Sequence, residues 1–123
     1  MPHNWASAEC VRYLRHMLVL EDGLRLRLLE GVDGNESKSA YAYLLERTPT
    51  RFGRVNLRLE PMDGGTRGAT FAREPSEIVP TSVEIPETLG SLRLARIEGA
   101  GHSTHGARVL VDPAIHRWTA VWK

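Results

Sequence analysis

The chain has 123 residues, enough for one domain and too few for two ordinary ones. With 41% hydrophobic and 25% charged residues, its composition is globular and far from that of disordered chains. Sixteen Lys and Arg against fifteen Asp and Glu leave a formal charge of +1, so no general field steers the chain toward nucleic acid or an anionic membrane.

A single globular domain over residues 1–123 follows, and nucleic acid is not an expected partner. Fourteen of the sixteen basic residues are Arg, which a high-GC genome explains as readily as carboxylate or phosphate recognition does. Cys10 is the only cysteine, so an internal disulfide and a cysteine metal cluster are excluded. The first apolar stretch is interrupted by Arg12, Arg15 and His16, unlike a secretory signal. No run of about 18 apolar residues offers a transmembrane helix. The expected class is a cytoplasmic protein of bacterial or phage type.

In chain order, Asn4 can cap a helix over Trp5–Leu18, because its side chain accepts from the free amides of the first turn. Val11, Leu14 and Leu18 form an apolar stripe, with Glu9, Arg12, Arg15 and His16 opposite it. The helix is expected to run to about residue 19; the alternative is a short strand leading into a Glu21-Asp22-Gly23 turn.

From Gly23 onward the period changes to two. Leu24, Leu26 and Leu28 alternate with Arg25 and Arg27, and Val55, Leu57 and Leu59 alternate with Arg54, Asn56, Arg58 and Glu60. Such alternation buries one face of a strand and wets the other. Gly31–Lys38 reads as a polar loop before a strand through Tyr41 and Tyr43, and Asp63-Gly64-Gly65 as a hairpin turn into Thr66–Arg73. Residues 74–90 carry Pro75, Pro80 and Pro86 and four glutamates with no basic residue, which reads as an edge strand or an extended surface segment. Strands follow over Leu92–Ile97, Ala107–Val111 and His116–Trp122, with a glycine-punctuated loop at Gly99–Gly106. The expected fold is α+β: an N-terminal amphipathic helix packed on a mostly antiparallel curved sheet, or partly open barrel, of about seven short strands.

The Gly99–Gly106 loop holds His102, Ser103, Thr104 and His105 between its glycines. With His116 across a final hairpin, its imidazoles are candidates for acid and base in phosphodiester cleavage, with Arg108 or Arg117 stabilising the transferring phosphate. They are also candidate metal ligands, though a full set of four would need a carboxylate as well. The bland alternative is an ordinary polar surface loop. His102-Ser103-Thr104 lacks the second His-x-Thr element that two-histidine phosphoesterases carry, so no family resemblance is drawn.

Trp118 and Trp122 share one face of the last strand, either as core or as an exposed aromatic platform. Arg25, Arg27, Arg54, Arg58 and Arg93 would form a basic patch if their strands were neighbours, with interspersed glutamates as the neutralising alternative. A nucleophile elbow, a phosphate loop and a complete metal set are all missing. The leading expectation is therefore a non-catalytic binding protein without a cofactor: an inhibitor, an immunity-type protein or an accessory subunit that meets a protein partner or itself. The alternatives are a histidine-dependent phosphodiesterase or ribonuclease built on the Gly99–Gly106 loop, and a phage or secretion-system structural component.

Overall fold

The computed structural model describes residues 18–32 and 42–123. Among the described residues eleven strands follow one another: β1 (Val19–Asp22), β2 (Arg25–Leu28), β3 (Tyr43–Thr48), β4 (Val55–Pro61), β5 (Arg67–Arg73), β6 (Ser82–Pro86), β7 (Thr88–Leu89), β8 (Leu92–Glu98), β9 (His102–His105), β10 (Arg108–Val111) and β11 (Arg117–Trp122). They form two sheets. One has five strands in the order β1-β2-β6-β10-β9; the other has six, in the order β3-β4-β5-β11-β8-β7.

The α+β expectation is corrected. Of the described residues 58% are in strands, no helix packs on a sheet, and one of the two sheets curls into a half-barrel. The helix expected over Trp5–Leu18 lies outside the described residues except for Leu18, and Tyr41 and most of the Gly31–Lys38 loop lie outside them as well. Nor does helix extend to residue 19. Val19–Asp22 pairs antiparallel with β2, Val19 facing Leu28 and Asp22 facing Arg25. The strand alternative prevails because that register buries Val19 beside Leu26 and Leu28 while Asp22 meets the arginines of β2. Among the described residues no helix is long and apolar enough to cross a membrane.

Two further expectations change. Residues 82–86 are not an edge: β6 sits in the centre of its sheet, parallel to β2 and antiparallel to β10. The prolines fall outside or at the end of the strand, so Val83, Glu84 and Ile85 keep their amide donors, and Val83 and Ile85 are fully buried. The Gly99–Gly106 segment is also more than a loop, because its His102–His105 core forms strand β9 against β10. Apolar periodicity could not reveal it, since all four of its side chains are exposed.

The core lies between the sheets. Leu26, Leu28, Val83, Ile85, Val109 and Val111 come from the five-stranded sheet, and Val55, Leu57, Leu59, Phe71, Trp118, Ala120 and Trp122 from the other. Trp118 stacks on Phe71 at 5.0 Å between centroids, and the Trp122 indole N–H donates to the Pro86 carbonyl at 3.1 Å. Buried among these residues is Arg73, which donates to the carbonyls of Phe52 at 3.2 Å and Pro113 at 2.9 Å. Burial lowers its pKa, though a guanidinium keeps its charge. Two-residue alternation leaves each sheet with one outward face, and those faces carry the remaining charge.

Candidate binding surfaces

On the five-stranded sheet the outward side chains converge on one carboxylate. Glu84 projects away from the core between Val83 and Ile85, yet is only 3% exposed because arginines from both neighbouring strands fold over it. Arg25 on β2 grips it with Nε at 2.6 Å and Nη2 at 2.8 Å, Arg108 on β10 donates from Nη1 at 2.8 Å, and the Ser82 hydroxyl donates at 2.8 Å. The hydrogen bond from Arg25 is the main reason that its carboxyl is held below the usual carboxylate range. The same bond raises Arg25.

Asp22 lies 3.4 Å from both Arg25 and Arg27, and Glu30 3.1 Å from Arg27 and 3.8 Å from Arg108. Three arginines thus meet three acids, and each is paired within the network. Glu84 was absent from the sequence candidates. Its signal was a charge between two β-branched residues that both had to face inward.

The histidines do not assemble. Alternation along β9 sends His102 and His105 to opposite faces, and His105 shares its side with Ser103, whose hydroxyl lies 3.2 Å from Nε2. His102 lines an open cleft of about 410 Å³ with Ser82, Ser103 and Asp112; neither His105 nor His116 lines it. Arg108 is committed to Glu84, and Arg117 stands on the other sheet. Among the described residues no group of three or more His, Cys, Asp or Glu is placed to hold a metal ion.

The strand order also divides the expected basic patch. Arg25 and Arg27 belong to the five-stranded sheet, whereas Arg58 and Arg93 belong to the six-stranded one and Arg54 lies exposed just before β4. Trp118 and Trp122 lie in the core, 2% and 0% exposed, and so offer no surface platform.

The outward face of the six-stranded sheet differs in character. Register places Leu44, Arg58, Thr70, Thr119 and Glu98 in one row across five strands, and Asn56, Ala72 and Arg117 in the next. Small side chains in the middle leave an open cleft of about 410 Å³ lined by Leu44, Glu46, Arg47, Asn56, Arg58 and Ala72, among others.

At its rim β3 carries one extra residue against β4 between Leu45 and Thr48, a bulge. Arg47 adopts left-handed backbone there (φ 49°), and its N–H donates to Asn56 Oδ1 at 2.9 Å. A non-glycine residue in that region costs on the order of 1 kcal/mol, and the bulge turns the side chain out at the cleft. Among the described residues the side chains of Arg47, Arg54, Arg58, Arg93 and Arg117 make no ion pair. Leu44, beside Arg58, is 48% exposed. The arginines of one sheet are thus occupied by their own acids, whereas Arg47, Arg58, Arg93 and Arg117 on the other are open to an external anion, its Arg96 being paired with Glu98 at 2.9 Å.

Arg47 and Leu44 were also missed as site residues, because neither a bulge nor cross-strand neighbours can be read from a single segment. Comparison with family models, with curated proteins and with solved structures finds no match for this chain.

Proposed function

We propose that this chain is a small, non-catalytic, cytoplasmic binding protein of the inhibitor, immunity or accessory-subunit sort. Its working surface is the outward face of the six-stranded sheet, and its ligand is an acidic, partly apolar segment of a protein. One observation carries the reading: Arg47, Arg58 and Arg117 stand unpaired around an open cleft beside exposed Leu44, while the arginines of the other sheet are tied to Asp22, Glu30 and Glu84. Arginine suits this task, since its fork takes a carboxylate in two parallel hydrogen bonds.

The strained backbone at Arg47 supports it too, because strain persists where a side chain has a use. Glu46, Glu60 and Glu98 on the same face temper the field, and no aromatic side chain lines the cleft as base stacking would require. A protein carboxylate therefore fits better than a nucleic-acid backbone.

The test is a titration of the whole chain with a dye-labelled peptide of alternating glutamate and leucine, read by fluorescence anisotropy. Saturable binding that weakens as salt is added is expected. Arg58→Glu should weaken it by about tenfold or more. Arg47→Gly should also weaken it, while leaving stability unchanged or raised by up to about 1 kcal/mol. Wild-type chain that ignores the peptide, or an Arg58→Glu chain that binds equally well, would refute the proposal.

A further inference from the structure

We infer that a second copy of this chain occupies that cleft, inserting its own Glu74–Thr81 segment; this rests on the binding reading above. The segment crosses from β5 to β6 without joining either sheet. Hydrogen bonds pin it along its length. Glu74 N–H donates to the Arg54 carbonyl at 2.9 Å, Ser76 Oγ to the Arg51 carbonyl at 3.4 Å, and Ile78 N–H to Ser76 Oγ at 3.3 Å. At the far end Thr81 donates to the Leu24 carbonyl from its N–H at 2.7 Å and from its hydroxyl at 3.2 Å. Pro75 and Pro80 restrict the backbone further.

What this braced segment displays is apolar and acidic. Ile78 is 46% and Val79 51% exposed, with Leu24, 47% exposed, at the carbonyl where the segment ends. Glu74 and Glu77 are exposed, and among the described residues neither makes an ion pair. A segment already ordered loses little entropy on docking, so its display favours association.

The cleft is its counterpart in sign and in character. It offers Leu44 and Ala72 as apolar contacts and Arg47 and Arg58 as cations against the one lining acid Glu46, with Arg117 at a neighbouring position and Glu60 and Glu98 elsewhere on the same face. The segment cannot fold back into the cleft of its own chain. Ala72 lines the cleft, Glu74 is only two residues further on, and the intervening Arg73 is buried with its N–H bonded to the His116 carbonyl. A second copy meets no such restraint. Because segment and cleft adjoin, two copies related by a two-fold axis exchange segments reciprocally and close into a dimer.

Sedimentation equilibrium of the full chain, from micromolar to near-millimolar concentration, tests this. A monomer–dimer equilibrium that shifts toward monomer with added salt is expected. Glu77→Arg alone and Arg58→Glu alone should each weaken the dimer by about tenfold or more. Mixing the two variants should restore it, since the reversed segment of one then meets the reversed cleft of the other and the remaining contact is native.

A chain that stays monomeric throughout, a dimer indifferent to both substitutions, or a mixture that fails to recover would overturn the inference. A monomeric chain that still binds the glutamate–leucine peptide removes the self-association and leaves the binding reading standing. A monomeric chain that also ignores the peptide removes both.

Discussion

Trp122→Ala should lower stability by about 3–5 kcal/mol, a large part of the roughly 5–15 kcal/mol that holds a domain of this size together. The side chain is fully buried, and its indole N–H is the hydrogen bond from the six-stranded sheet to Pro86 of the other. It also sits where β11 pairs with Arg67 of β5 on one side and Leu94 of β8 on the other, beside a register shift. Truncation opens a cavity at a point where β11 cannot easily slide to fill it. Urea unfolding with an unchanged slope is the measurement, and a loss below about 1 kcal/mol would show that the sheets are not joined there.

Phenylalanine at the two tryptophan positions separates packing from the hydrogen bond. Trp118 is as deeply buried, but its indole nitrogen has no hydrogen-bond partner among the described residues. Trp122→Phe should therefore cost more than Trp118→Phe, by about the 0.5–1.5 kcal/mol of one part-buried hydrogen bond.

Glu84→Ala has the next largest expected effect, and the only one that depends on acidity. It leaves Arg25, Arg27 and Arg108 crowded together without their central anion. Removing one partner of a fully buried pair costs about 3–5 kcal/mol. Arg25 and Arg108 are 44% and 34% exposed, so water screens them and a loss of about 2 kcal/mol is the better expectation.

The sign with pH follows from the depressed carboxyl. Its contribution is complete above the ordinary glutamate pKa near 4.5 and is lost as pH falls through the lower folded value. The wild-type advantage over Glu84→Gln should therefore be largest at neutral pH and shrink in acid. A constant difference between the two chains across that range would contradict the pairing.

Parts of this arrangement were legible in the sequence. Alternation through Val55, Leu57 and Leu59 marked β4, and the Asp63-Gly64-Gly65 turn marked its hairpin with β5, because both signals are local. Elsewhere local signals misled. Leu18, Val19 and Leu20 suit a helix end as well as a strand, and pairing with Arg27 and Leu28 across the chain decided the matter. β9 had no apolar alternation to read, since it is held by its backbone ladder to β10 and not by burial.

The division of the arginines was hidden for a deeper reason. Arg25 reaches Glu84, 59 residues away, because β2 and β6 pair in parallel, and Arg58 meets Thr70 and Thr119 through antiparallel pairings. Nothing in the spacing of Arg25, Arg27, Arg54, Arg58 and Arg93 tells which of them has an acid waiting. Which arginines are neutralised is a property of strand order, and strand order is set by the core.

The most direct test of the binding face is an NMR titration that follows the Nε–H resonances of the arginine side chains as the glutamate–leucine peptide is added. Arg47, Arg58 and Arg117 should shift together and saturate, while Arg25 and Arg108, already held by Glu84, stay in place. Shifts confined to Arg25 and Arg108, or none at any arginine, would contradict the assignment of the six-stranded face as the binding surface.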